Sequence, residues 1–215
     1  MEVRMFTVGM IQENCFLLRR DGSDRALIVD PGDEAPKLLA AIEELGVRLE
    51  GILLTHTHFD HVGAVAPIAK ATGAEVWVPE LEKQVLADIN SYVPWPQFGP
   101  FESWDAEHTV SGGERLELAG LEIDVLFTPG HSPGHVTYSI PDEQVVFSGD
   151  VLFQSSVGRT DLPGGDWPTL LESIRTLVDT LPGDTTVYPG HMGITTLGAE
   201  RAANPFLAEL GTGRR

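Results

Sequence analysis

Five of the seven histidines stand where a pair of metal ions would need them. His56, His58 and His61 lie within Thr55-His56-Thr57-His58-Phe59-Asp60-His61, directly after the apolar run Gly51–Leu54. His131 follows Thr128-Pro129-Gly130, and His191 follows Tyr188-Pro189-Gly190. Asp150 closes Phe147-Ser148-Gly149-Asp150, again just past an apolar run. Imidazole and carboxylate are donors for first-row divalent ions. Here they gather at strand ends, where side chains from distant parts of a chain meet in layered α/β folds. A hydrolase that activates water on metal needs such a set.

The spacing has a physical reading. Side chains alternate faces along an extended segment, so His56 and His58 point the same way and can grip one ion. Asp60 continues that parity, and His61, at the turn into Val62–Ala71, can swing to a neighbouring ion. Neutral imidazole with carboxylate suits Zn, Fe or Mn without choosing among them. One such histidine would read as an ordinary core or surface residue; His-x-His-x-Asp-His with three more donors at strand ends does not.

Composition limits the partners. The chain has 215 residues, 42% hydrophobic and 21% charged, ordinary for a globular protein and enough for a sizeable core. Net charge is −18, from 14 Lys+Arg against 32 Asp+Glu, which opposes a nucleic-acid partner and an anionic membrane surface. Between Arg115 and Arg175, Arg159 is the sole Lys or Arg. Cys15 is alone, so no internal disulfide or Cys-rich metal site is expected, and in Asn14–Leu18 it reads as a buried, inert thiol. Met1–Gly9 lacks the pattern of a secretory signal, and no apolar run reaches membrane-spanning length, so a cytoplasmic protein is expected.

Strands and helices alternate around these motifs. Val3–Val8, Cys15–Leu18 and Ala26–Val29 read as strands, with Asp30-Pro31-Gly32 ending the third. Leu38, Leu39, Ile42 and Leu45 repeat at helical spacing before Gly46. Val62–Ala71 reads as a helix, Glu75–Val78 as a strand, Leu81–Asp88 as a short helix and Tyr92–Trp104 as an irregular loop. Glu114–Leu118, Leu121–Phe127, Val136–Ile140 and Gln144–Phe147 follow as strands, then an amphipathic helix over Pro168–Leu181. Thr186–Tyr188 is the last strand, and Thr196–Leu210 closes as a helix containing Pro205. Two β-then-α halves, each ending in ligands, imply two packed sheets with helices outside, in one domain over 1–215.

Thr55–His61, Thr128-Pro129-Gly130-His131, Gly149-Asp150 and Gly190-His191 together resemble the metallo-β-lactamase superfamily over essentially the whole chain. That resemblance implies an α/β fold, a four-layer αββα sandwich with metals at one sheet edge. Asp60-His61 and a bridging-type Asp150 look like glyoxalase II rather than the lactamases, which usually have cysteine where Asp150 stands. Gly158-Arg159-Thr160-Asp161, Thr196–Arg201 and Asn204-Pro205-Phe206 resemble short single-domain bacterial hydrolases of the glyoxalase II type. By that resemblance His56, His58 and His131 hold one metal, Asp60, His61 and His191 the other, and Asp150 bridges. Two divalent ions are implied, Zn first, with Fe or Mn as alternatives. The implied reaction is hydrolysis of a small-molecule thioester, hydroxyacyl-glutathione-like, by metal-bound hydroxide. Asp60 is the candidate catalytic residue, orienting the nucleophile and accepting its proton. Two dications against Asp60, Asp150 and a bridging hydroxide leave positive charge for an oxyanion.

There are departures from the glyoxalase pattern. The extra helical domain that helps hold glutathione is not expected in this chain. Met192-Gly193 and Asp161 stand where the glyoxalase has tyrosines. Arg159 does match a lysine or arginine position, and it is expected to bind a substrate carboxylate beside the metals rather than a surface acid. The alternative is a persulfide dioxygenase, which shares the fold and a Gly-Arg-Thr-Asp segment but uses one iron. His131-Ser132-Pro133-Gly134-His135 favours the hydrolases, which often have that second histidine. A lactonase would use the same nucleophile; a nuclease is opposed by the charge. Of the remaining residues, His135 is expected to be structural or to support a ligand, His108 to be solvated in a loop, Asp30 to orient a ligand histidine or start a turn, and Tyr138 to be core.

Overall fold

The computed structural model describes residues 1–95 and 97–212. Apolar alternation on hairpin-linked segments starts the first sheet: β1 (Glu2–Val8) and β2 (Glu13–Arg19) pair antiparallel, and β3 (Arg25–Val29) joins β2. The chain then crosses over through α1 (Ala35–Leu45) to β4 (Arg48–Leu53), and through α2 (Phe59–Val62) and α3 (Val65–Thr72) to β5 (Glu75–Pro79). α4 (Lys83–Ala87) and the following loop lead to β6 (His108–Val110). The strands lie in sequence order, with β3 to β6 parallel.

The second half builds a sheet of its own. β7 (Arg115–Leu118), β8 (Leu121–Phe127), β9 (Val136–Ile140) and β10 (Val145–Gly149) form an antiparallel meander. A small hairpin, β11 (Leu152–Phe153) with β12 (Ser156–Val157), precedes α5 (Trp167–Thr180). β13 (Thr186–Pro189) then runs parallel to β10, and β14 (Thr195–Thr196) leads into α6 (Leu197–Ala203). The sheet order is β14-β13-β10-β9-β8-β7.

Period-two burial on both faces stacks four layers. Phe16, Leu18, Leu27, Val29 and Leu53 from the first sheet meet Ile123, Val125, Tyr138 and Phe147 from the second. Phe16 sits edge-on to Phe147 and Tyr188, with ring centroids 5.4 and 5.3 Å apart. The intervening residues Cys15, Leu17, Ala26, Ile28 and Ile52 face α1 and α3 instead, so Cys15 is a buried free thiol. Val146 and Val187 face α5 and α6. The outcome is the αββα sandwich. No helix among the described residues is long and apolar enough to cross a membrane.

Local chemistry sets the ends of these elements. Gly46 ends α1 in the left-handed region at φ 62°, its N–H bonding Glu43 and Ile42 carbonyls. Asp166 caps α5 by accepting from Thr169 N, and Pro168 sits in the first turn. Three expectations need correction. The Val62–Ala71 helix begins earlier and is broken at Gly63-Ala64, where Ala64 N bonds the Pro31 carbonyl of another loop. The closing helix stops at Ala203, because Pro205 removes a donor and biases Asn204 out of the helical region; a 3-10 stretch follows. His108 is not in a solvated loop but starts β6, its ring stacked on Trp77 at 4.4 Å and its Nε2 2.7 Å from Glu75. The Tyr92–Trp104 loop is irregular as expected, apart from residue 96, which lies outside the described residues.

Candidate active site

Both sheets deliver their donors to one edge. β4 ends at Leu53 and feeds His56, His58 and the short α2 that carries Asp60 and His61. β8 ends just before His131, β10 just before Asp150, and β13 just before His191. Parallel pairing of β10 with β13 aligns the last two ends, closed by Gly190 N to Gly149 O at 2.9 Å. Two backbone bonds tie the sheets together here: Asn14 N to Gly190 O at 2.7 Å and Val136 N to Thr55 O at 2.9 Å. Gly190 must lack a side chain, since a Cβ would overlap the Asp150 carboxylate and stand 2.7 Å from His61 Cε1.

The donors form two clusters. His56 Nε2 lies 3.1 Å from His58 Nδ1, which lies 2.8 Å from His131 Nε2. The second cluster comprises Asp60, His61 and His191, with His191 Nε2 3.3 Å from Asp60 Oδ2. Asp150 stands between them: its Oδ2 is 3.4 Å from His131 Nε2 and 3.6 Å from His191 Nε2, and its Oδ1 is 3.4 Å from His61 Nε2. These separations, from 2.8 to 3.6 Å, bracket the roughly 3.3 Å expected between donors on a tetrahedral ion with bonds of about 2.0–2.1 Å. His61 Nε2 and Asp150 Oδ1 are buried and have no hydrogen-bond partner among the described residues. Orphaned buried donors and acceptors are costly, and converging ones fit a bound cation. The residues therefore fit two ions, His56, His58 and His131 at one, Asp60, His61 and His191 at the other.

Charge in the site points the same way. Burial, reinforced by His61, His58 and His131, holds His56 well below the usual histidine pKa, and burial with His131 lowers His58 to about 4. Both are thus neutral, the form that binds metal. Burial also pulls on His61, but Asp150 and Asp60 outweigh it and raise its pKa well above the usual value. Asp60 and Asp150 are held below the ordinary carboxylate range, burial being overcome in each by His61. The second cluster thus demands positive charge, which a proton on His61 or a dication can supply.

A surrounding layer of polar groups aims these donors. Asp30 is buried and accepts from Thr55 N at 2.7 Å and Thr55 Oγ1 at 2.6 Å, while His61 Nδ1 lies 3.1 Å from its Oδ2. His61 Nε2 is thereby turned to the cluster; Asp30 orients a ligand, as carboxylates behind metal-binding histidines do. His131 Nδ1 lies 2.8 Å from the Arg159 carbonyl, which frees its Nε2 in the same way. His135 is fully buried, its Nε2 accepting from Asp150 N at 3.1 Å, so it fixes the backbone at Asp150. Tyr138 is core, donating to the Leu54 carbonyl at 2.9 Å.

Several contributors escaped the sequence reading. Glu82, 4% exposed, accepts from Thr57 N at 2.7 Å and Thr57 Oγ1 at 2.9 Å with one oxygen, and from Ser132 Oγ and Gly134 N with the other. It staples the His56–His58 segment to the His131 loop. Asn14 Nδ2 donates to the Pro189 and Met192 carbonyls at 3.1 and 2.9 Å, holding the His191 loop. Glu13 is buried 3.8 Å from His61 Nδ1, and burial pushes its carboxyl well above the usual range, toward the neutral acid. A polar residue beside an apolar run was the only signal, and it did not say what the residue would face. Arg159, expected to reach a substrate carboxylate rather than a surface acid, is paired in the structure with the exposed Asp161, its Nε and Nη2 lying 2.6 and 2.7 Å from the carboxylate oxygens.

Comparison with known proteins accords with this geometry. Residues 8–191 match the metallo-beta-lactamase superfamily, and the chain belongs to that superfamily. It is 38% identical to the hydroxyacylglutathione hydrolase GloC of Haemophilus influenzae, over 96% of this chain and 98% of that protein. Among solved structures, the BLEG-1 B3 metallo-beta-lactamase superposes with a TM-score of 0.90 at 38% identity, covering 96% of this chain and 100% of that one. TTHA1623 in a di-iron-bound form gives 0.80 at 41% identity, covering 95% and 100%. The chain is a metallo-hydrolase by family.

Proposed function

We propose that the chain is a dinuclear hydrolase of thioesters of the hydroxyacyl-glutathione kind. The observation that carries this reading is Asp150, whose two oxygens lie 3.4–3.6 Å from histidines of both donor clusters. The relative named hydroxyacylglutathione hydrolase supports the thioester, and the di-iron-bound neighbour supports two ions, with zinc as our first choice of metal. Bound divalent ions supply a nucleophilic water at neutral pH and polarise the carbonyl. The chain's own part is positional. Asp30, Glu82 and the Arg159 carbonyl fix the ligand loops, so the reacting groups meet in one orientation. Asp60, anionic beside His61 and His191, orients the attacking water and accepts its proton at a carboxylate oxygen. The leaving thiol, with a pKa of roughly 8.5, departs as thiolate without a general acid. A cytoplasmic location and a small-molecule partner belong to the same proposal, the charge of −18 opposing a nucleic-acid partner.

An anomalous-scattering map of crystals grown with zinc is expected to show two peaks flanking Asp150. One well-occupied ion, with His61 and His191 free, would overturn the dinuclear reading. Arg159 keeps its proposed role toward a substrate carboxylate. Opening its exposed pair with Asp161 costs at most about 1 kcal/mol, less than the roughly 1.5–3 kcal/mol a charge-assisted hydrogen bond returns. Arg159→Ala should raise KM for an acidic thioester several-fold at unchanged metal content; an unchanged KM would leave Arg159 to Asp161 alone.

A further inference from the structure

Beside Asp60 the site opens into a cleft of about 150 Å³. Val8, Met10 and Ile11 wall one side, at the turn between β1 and β2; Phe59, Phe98 and Phe101 wall the other. Phe98 stacks on Phe59 at 4.7 Å, and Phe59 stands in the chain between His58 and Asp60, so the aromatic wall is tied to the donor motif itself. Met10 is 82% exposed and Ile11 38%, apolar side chains held at a rim where solvation alone would favour polar ones. The charged lining residues described are Asp33 and Asp60; no Lys or Arg is among them. Arg159 is tied to the other side of the site through its carbonyl on His131 Nδ1.

We propose that this cleft binds an uncharged, apolar arm of the substrate, of about phenyl size, extending from the reacting carbonyl past Asp60. The inference rests on the thioester reading above and names the substrate class on one side of it. A cavity near 150 Å³ holds a group about as large as benzene and is too small for a whole drug-sized ligand, so it takes one arm only. A carboxylate placed there would lose water, find no Lys or Arg among the described lining residues and stand near Asp33, which holds no metal in this reading. An apolar arm instead displaces water from aromatic and aliphatic walls. The arm can belong to the acyl group or to the thiol, and the chemistry of the cleft is the same for both.

Four thioesters separate these cases: the acetyl, phenylacetyl and succinyl thioesters of N-acetylcysteamine, and the acetyl thioester of benzyl mercaptan. Metal-loaded protein is expected to show kcat/KM at least roughly tenfold higher for one of the two aryl substrates than for the acetyl and succinyl thioesters of N-acetylcysteamine. The preferred aryl substrate tells which end occupies the cleft. Phe98→Ala should cut that preference ratio about tenfold. Met10→Arg, at an exposed position where folding is not at stake, should raise the succinyl-to-acetyl ratio several-fold. Calorimetric titration with S-benzyl-N-acetylcysteamine, a thioether that cannot be hydrolysed, reads the cleft without turnover; Phe98→Ala should weaken its binding about tenfold. If no thioester is cleaved but the thioether binds in this Phe98-dependent way, the thioester reading falls and the apolar cleft stands. Neither aryl substrate cleaved better than the acetyl and succinyl thioesters of N-acetylcysteamine, or thioether binding absent or indifferent to Phe98→Ala, would overturn the cleft proposal.

Discussion

Asp60→Asn is expected to lower kcat for thioester hydrolysis by roughly 10²–10⁴-fold, the usual worth of a positioned acid–base group. The substitution keeps the shape of the side chain and removes its charge. Asp60 Oδ2 lies 3.3 Å from His191 Nε2 and its carboxyl is held below the ordinary range by His61 and His191 against the pull of burial, so the wild-type group is an anion. An amide there has one weakly basic oxygen and cannot take the proton of the attacking water. It also removes one of the two carboxylates that draw positive charge into the second cluster, so metal at that position should fall as well. The circular-dichroism spectrum should not change, because Asp60 lies 15% exposed at the rim rather than in the core. A variant within tenfold of wild-type kcat would remove Asp60 from the chemistry.

Glu82→Gln is expected to cost about 3 kcal/mol of stability and to release metal, although Glu82 is no ligand. One carboxylate receives four donors, Thr57 N and Oγ1 on one oxygen, Ser132 Oγ and Gly134 N on the other. Glutamine can accept on one side only and presents an N–H to a donor on the other, leaving buried donors unpaired. Each hydrogen bond to a charged group contributes roughly 1.5–3 kcal/mol, and an orphaned buried donor costs about 1–3 kcal/mol. For a chain of this size the loss corresponds to a fall in Tm of about 6–12 °C. Because Thr57 lies between His56 and His58, and Ser132 follows His131, the strain falls on the first cluster. Thermal unfolding and metal analysis of the same sample check both parts. An unchanged Tm with full metal content would make the Glu82 staple unimportant.

The donors were legible because metal chemistry uses few residue types and strand ends bring them together. Leu121–Phe127 and Val136–Ile140 fell at their observed bounds because alternating apolar runs between turn residues leave little choice. What failed to show depends on contacts between distant segments. Glu82 and Asn14 reach loops 50 and 175 residues away, and no local pattern encodes such a partner. Arg159 stood out as an isolated cation in an acidic chain, yet the acid two residues on satisfies it in the structure. The break at Gly63-Ala64 arises where the α2 region packs against the Pro31 loop, a tertiary bond that overrides a continuous helical pattern. Asp30 was visible as a strand-end acid; only its geometry separates orienting a histidine from starting a turn.

Thiol release from a hydroxyacyl-glutathione thioester, followed with metal-loaded protein in an oxygen-electrode cell and repeated without air, bears most directly on the two-ion hydrolase. The expected result is thiol release at the same rate in both conditions, with no oxygen consumed. No thiol release from the thioester, with oxygen taken up when glutathione persulfide is added, would contradict it.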